Sequence, residues 1–202
     1  MSRTTVRRGM IAATAATAAW ILLGAESVLR PGSMSYRDAV WLIPWSLTAV
    51  VLAYLHMIQR DRAGRLERGS FWAVITAMGL AAAGTLGVLL DIDALKVLGF
   101  PLGAVLWVAA MLPFGVATVR AGVVPAYAGV ALALLEPASL LTGIVLSPIA
   151  GLHDRGSYSA GLEKGLVTLL VARALWRLAR NAGRDTEAPN ARPVPKSGRI
   201  SS

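Results

Sequence analysis

The chain has 202 residues, of which 55% are hydrophobic and 15% charged, and its formal net charge is +9 at pH 7. A soluble domain has about 45–50% apolar and about 25% charged residues, so this composition indicates a protein of the lipid bilayer. A strongly basic soluble protein would suggest nucleic-acid binding. In a membrane protein, basic loops set the orientation of the helices, so we attribute the positive charge to them and expect no nucleic-acid partner. The absence of cysteine excludes disulfides and thiolate metal ligands, and we expect neither a metal nor another cofactor.

Six apolar segments follow one another along the chain, each close to the roughly 20 residues that a spanning helix needs. They cover about residues 10–29, 39–58, 71–90, 98–118, 124–146 and 161–179. The sequence therefore predicts an all-α integral membrane bundle of six transmembrane helices within residues 1–180. Residues 181–202 are polar and contain three prolines, which predicts a disordered cytoplasmic tail.

The distribution of basic residues predicts the orientation of these spans. With the N-terminus inside the cell, 15 of the 20 lysines and arginines fall on the cytoplasmic side, as the positive-inside rule requires. Both termini are then cytoplasmic. One alternative concerns "TVRRGMIAATAATAAW", whose paired arginines, small residues and Ala-x-Ala sites are typical of a cleaved signal. The apolar run continues through "WILLGA", beyond a typical signal core, and cleavage would leave five spans.

Small residues and prolines recur inside the predicted spans. Gly99-x-x-x-Gly103 and Gly161-x-x-x-Gly165 permit the close backbone approach by which membrane helices associate. Prolines kink helices, and the carbonyls that they free need other partners. These kinks are consistent either with ordinary packing or with an internal cavity. The prolines inside spans are Pro44, Pro101, Pro113 and Pro137.

The stretch "ALALLEPASLL" places an acid, Glu136, inside the fifth predicted span. A charged residue at this depth costs about 2.5–3.5 kcal/mol on insertion scales, so it should face protein or water rather than lipid. Small residues such as Ala133 and Ser139 share its helix face, and Leu134 lies on the opposite face. Three states are open: a neutral acid that donates a proton, an ion pair with Arg173, and a structural hydrogen bond between helices.

Further candidate site residues lie near the predicted outer side of the membrane. Glu26 comes late in the first span and Asp38 begins the second. Both are candidates for a second acid or base beside Glu136. Trp45 and Trp107 would bind the substrate and stabilise positive charge through their ring faces, with Ser139 as a polar contact. Aromatic residues also anchor ordinary membrane helices at the interface.

The stretch "ATVRAGVVPAYAGVALAL" resembles one found in small multi-pass membrane proteins of high-GC actinobacteria. The resemblance implies a plasma-membrane protein and no particular activity. The chain is also remotely similar to membrane-bound terpene cyclases, in size and in its intramembrane carboxylates. The Trp–Glu pairing of that family is not found here, so no site residue carries over. The chain also loosely resembles the substrate-binding subunits of vitamin uptake systems, which have six helices and small-residue motifs in the first helix. Ala12-x-x-x-Ala16 is such a motif here.

Three functions are consistent with these patterns. The first is an enzyme that protonates or cyclises a lipophilic, isoprenoid-like substrate, with Glu136 as the acid. The second is a transport or ligand-capture subunit that binds a small molecule near Glu136. The third is a structural or regulatory membrane protein in which Glu136 serves packing. The sequence does not predict an oligomeric state.

Overall fold

The computed structural model describes residues 2–30, 32, 34–146 and 158–187. Within these residues the chain is helical and contains no strand, which confirms the all-α prediction for the described part. The helices are α1 (Arg3–Leu29), α2 (Tyr36–Gln59), α3 (Arg65–Leu89), α4 (Asp93–Val97), α5 (Ala104–Ala121), α6 (Ala126–Leu146) and α7 (Gly161–Glu187). A π-helical segment, Leu98–Gly103, joins α4 to α5.

Four of these helices, α1, α2, α3 and α5, are long and apolar enough to cross a membrane. The described apolar part of α6, Ala126–Ser139, is shorter, and α7 does not meet the same criterion. Each of the six predicted spans overlaps one of the long helices. Helix α7 continues to Glu187 and so covers residues 181–187 of the predicted tail, whereas 188–202 lie outside the described residues.

The fourth predicted span differs from a regular helix at its start. It was expected to be helical from residue 98, but the π-helical segment occupies Leu98–Gly103 and α5 begins at Ala104. Pro101 lies in this segment, and proline lacks the backbone N–H that a regular α-helical ladder requires. The wider turns set the backbone of this segment against α3.

The helices pack through close backbone contacts at glycines. A Cβ placed on Gly161 would lie 2.9 Å from the carbonyl oxygen of Trp20, and one on Gly103 would lie 2.9 Å from the backbone nitrogen of Ala81. These contacts bring α7 against α1 and the π-helical segment against α3. The prediction that the two Gly-x-x-x-Gly pairs permit close helix approach is confirmed at these positions.

The outer surface of the bundle is rich in large apolar side chains, and its interior is also apolar, with aliphatic, aromatic and small residues. Trp72, Val105 and Leu134 are exposed, whereas Phe114 and Leu175 are fully buried. Water disfavours such an apolar exterior, and lipid accommodates it. The surface is therefore compatible with a lipid environment around the helices.

Candidate functional site

A cavity of about 380 Å³ opens at the end of the bundle where α2 and α7 begin and α3 ends. We call it the tryptophan cavity. It is lined by Asp38, Trp41, Trp45, Ala81, Gly84, Thr85, Val88, Lys96, Gly99, Gly103, Ala104, Trp107, Glu136, Tyr158 and Lys164. Five long helices thus contribute to one space that combines aromatic rings, acids and amines.

Glu136 is held in the wall of this cavity by two donors on the same oxygen. The Lys164 ammonium lies 2.9 Å from Glu136 Oε1, and the indole N–H of Trp107 donates to the same atom. The side chains of Lys164 and Glu136 are only 13% and 14% exposed. Lys164 also donates to Ser139 Oγ at 3.1 Å. One oxygen of Glu136 therefore accepts from both an ammonium and an indole N–H, and these two donors fix the position of the side chain.

Three tryptophans form a continuous run of ring contacts beside Glu136, in which Trp41 and Trp45 are stacked and Trp45 and Trp107 are tilted by 51°. The ring centroids of Trp41 and Trp45 lie 4.6 Å apart, and those of Trp45 and Trp107 lie 4.7 Å apart. The Trp45 indole N–H is fixed by the carbonyl oxygen of Met78 at 3.0 Å. Since each buried indole N–H has an acceptor, the rings are held in one orientation. Trp41, at the end of this run, is only half-buried.

Asp38 faces the same cavity and is held by Tyr158. The phenol of Tyr158 donates to Asp38 Oδ1, and the backbone N–H of Tyr158 donates to Ser27 Oγ at 2.8 Å. Burial, together with the neighbouring Asp38, raises the pKa of Tyr158, so its hydroxyl stays a donor at physiological pH. Tyr158 therefore connects the start of α7 to α1 and α2.

The structure brings four of the residues singled out from the sequence into one cavity: Asp38, Trp45, Trp107 and Glu136. Ser139 joins them through its hydrogen bond from Lys164.

Glu26 lies elsewhere. It forms an ion pair with Arg37, with Arg37 Nε 2.7 Å from Glu26 Oε2, and it accepts a hydrogen bond from Tyr36. It lines a separate groove between α1 and α2. The grouping of Glu26 with Glu136 as paired acids is therefore not found in the structure.

The charge partner of Glu136 is Lys164, not Arg173. Arg173 is exposed and lines another groove with Met10 and Trp176. The physical reason is the packing of α7, whose first turn, rather than its middle, lies beside Glu136. Counting charges along the sequence assigns Lys164 to the outer surface, because that residue lies close to the start of the helix.

Trp41 and Tyr158 also line the cavity. The spacing of Trp41 and Trp45, one helical turn apart, is the signal that would have indicated a shared face. Tyr158 lies in a connection, and no periodic pattern there indicates its contact with Asp38.

A second buried polar cluster lies at the opposite end of the bundle, and we call it the Glu67 cluster. Glu67 Oε1 lies 2.8 Å from His56 Nδ1 and accepts a hydrogen bond from Gln59 Nε2 at 2.9 Å. Gln59 also donates to Thr118 Oγ1 at 3.3 Å. Glu67 lies in the connection between the predicted spans 39–58 and 71–90, but α3 begins at Arg65, so Glu67 falls in its first turn and is buried.

Comparison with known proteins finds no relative: no protein-family model, curated protein or solved structure matches the chain.

Proposed function

We propose that the chain is a multi-pass protein of the plasma membrane with six spans and both termini in the cytoplasm. Four helices already have the required length and composition. The described residues of α6 carry a single charged residue, Glu136, and the ion pair with Lys164 reduces the cost of burying charge in both α6 and α7. The distribution of lysine and arginine supports the orientation.

The lack of cysteine makes this topology directly testable by single-cysteine labelling with a membrane-impermeant maleimide. We expect Ala160→Cys, between α6 and α7, to be labelled in intact cells. Arg62→Cys, between α2 and α3, should be labelled only after permeabilisation. Protection of position 160 in intact cells would contradict six spans, and labelling of position 62 would contradict the orientation.

We propose further that the protein captures or transports a small molecule that binds in the tryptophan cavity. The single observation that carries this proposal is the cavity itself. Its wall combines the contacting rings of Trp41, Trp45 and Trp107 with a Glu136–Lys164 ion pair. Ligand sites are concave and mainly apolar, with a few fixed polar groups that orient the ligand. The cavity has these properties and opens at the end of the bundle that the topology puts outside.

Binding is better supported than acid catalysis. An enzyme that protonates an isoprenoid-like substrate needs a neutral Glu136 that gives up a proton. In the structure Glu136 Oε1 is instead occupied by two donors, the Lys164 ammonium at 2.9 Å and the Trp107 indole N–H. We therefore assign Glu136 an orienting role in the wall of the site, and not the role of a proton donor.

Blocking the cavity tests this proposal. Thr85 lines the cavity on α3, whereas Thr76 is exposed on the same helix, so Thr85→Trp and Thr76→Trp form a matched pair. Small molecules that co-purify in mild detergent are identified by mass spectrometry. We expect a molecule present in the wild type and in Thr76→Trp to be lost in Thr85→Trp. Ordinary phospholipid alone in all three proteins would instead favour a structural role.

A further inference from the structure

The charges around the tryptophan cavity are not evenly compensated. Lys164 is paired with Glu136 at 2.9 Å. Lys96, at the mouth, is paired with Asp91 and Asp93 at 2.7 Å each. Among the residues that the structure describes, no basic side chain forms an ion pair with Asp38. The wall therefore presents one carboxylate whose charge no described cation neutralises.

Two aromatic side chains, Trp41 and Tyr158, line the cavity together with this carboxylate. Trp41 lies one turn from Asp38 on α2, and the centroids of Trp41 and Tyr158 are 6.5 Å apart. The negative face of an aromatic ring attracts a cation, most strongly for tryptophan and where water is displaced. A carboxylate beside such faces is the chemistry that recognises an ammonium group.

The other residues of the cavity wall favour binding of an organic ligand over binding of a metal ion. Ala81, Gly84 and Val88 offer no oxygen ligands from their side chains. No group of three or more histidines and acids that could hold a metal occurs among the described residues. Hard metal ions need six or more oxygen ligands, and a cavity of about 380 Å³ has room for an apolar molecule.

We infer that the tryptophan cavity binds a lipophilic organic cation, with Asp38 as its counterion and the Trp41 and Tyr158 rings around the charged group. This inference rests on the proposed function and names the chemical class of its ligand. The Glu136–Lys164 ion pair also lines the cavity and contributes no net charge.

The test compares two probes of the same shape and opposite charge, tetraphenylphosphonium and tetraphenylborate, on the purified full-length protein. Saturable binding is measured with radiolabelled probe and competition by excess unlabelled probe, so that partition into detergent is subtracted. We expect saturable binding of the cation and none of the anion. Saturable binding of the anion in place of the cation, or of neither probe, would overturn the inference.

Two substitutions locate the charge. Asp38→Asn should weaken cation binding roughly tenfold, as expected for the loss of one partly desolvated counterion. Asp61→Asn, an exposed carboxylate at the other end of the bundle, should leave binding unchanged. Equal affinity in wild type and Asp38→Asn would also overturn the inference.

The two proposals fail in different ways. If the cation inference alone is wrong, a neutral or anionic molecule still co-purifies with the wild type and disappears in Thr85→Trp. If the proposed function is wrong, nothing but phospholipid co-purifies and neither probe binds saturably.

Discussion

Glu136 and Glu67 are two buried acids with similar contacts and different surroundings. Each receives two polar contacts on a single carboxylate oxygen, from Lys164 and Trp107 in one case and from His56 and Gln59 in the other. Glu136 borders a cavity and is 14% exposed, whereas Glu67 is 1% exposed. Burial of an acid therefore does not by itself identify a binding site, because the adjacent free space decides what the acid can contact.

The contacts of the Glu67 cluster are those of a group that stabilises the packing of helices. The His56 ring stacks on Phe71 with centroids 4.1 Å apart, and Gln59 extends the hydrogen bonds to Thr118. These contacts join α2, α3 and α5 at the end that the proposed topology puts in the cytoplasm. We therefore expect substitutions here to change stability, and substitutions at the cavity to change binding.

The largest effect is expected from Glu67→Ala. It leaves His56 and the buried amide of Gln59 without their acceptor, and should lower the free energy of unfolding by about 3 kcal/mol. Unfolding titrations with denaturing detergent in mixed micelles measure this change. Asp61→Ala, at an exposed site, is the control and should have no measurable effect. A fully stable Glu67→Ala protein would contradict the structural role.

Lys164→Met should have a smaller effect on stability. It leaves the Glu136 carboxylate without its cation, at a cost of about 2 kcal/mol, because the pair is only partly buried. A double-mutant cycle with Glu136→Gln measures the coupling between the two residues, and most of the loss should disappear when Glu136 is already neutral. Additive effects of the two substitutions would show that the ion pair contributes nothing.

Trp41→Leu should cost less stability still. It removes one stacked ring at the half-buried end of the run of rings, a contribution of about 1 kcal/mol beyond the buried area. Tetraphenylphosphonium affinity should fall severalfold, since one ring face near Asp38 is lost. Trp72→Leu removes an exposed indole from α3 and serves as the control. Equal loss of affinity in both variants would show that Trp41 has no specific role in binding.

The smallest effect concerns the exposed charges at the cavity mouth. The Lys96 ammonium lowers the pKa of both Asp91 and Asp93, chiefly through hydrogen bonds. These acids therefore stabilise the fold above their unfolded pKa of about 3.9, and the contribution is lost as the pH falls through their lower folded pKa. Because both folded pKa values lie below that value, these two acids should cause no change in thermal stability between neutral pH and mild acid. Lys96→Met should remove the loss of stability that occurs when the pH falls through the lowered pKa values of Asp91 and Asp93.

Much of the helical organisation was predictable, because apolar runs of bilayer length leave few alternatives to helices. The inward position of Glu136 also followed from its small-residue face and the cost of exposing an acid to lipid. Glu67 was not predicted to be buried, because Arg65, Arg68 and two further arginines around it are typical of a solvated loop. Its burial depends on the approach of α2 and α5, which no local pattern encodes.

The contact between Lys164 and Glu136 at the cavity could not be predicted from the local sequence either. Its position near a helix start is typical of an interfacial lysine, whose amine normally reaches outward. The contact with Glu136 depends on how α6 and α7 meet. Lys164 and Glu136 are 28 residues apart in the sequence, and no local pattern indicates that their side chains come into contact.

The most direct test of the difference between the two acids is to quantify the co-purified small molecule in wild type, Glu136→Gln and Glu67→Gln, per mole of folded protein. Both substitutions neutralise a carboxylate and keep its shape. We expect occupancy to fall in Glu136→Gln and to be unchanged in Glu67→Gln. Equal occupancy in all three proteins, or an equal fall in both variants, would contradict the assignment of binding to the tryptophan cavity.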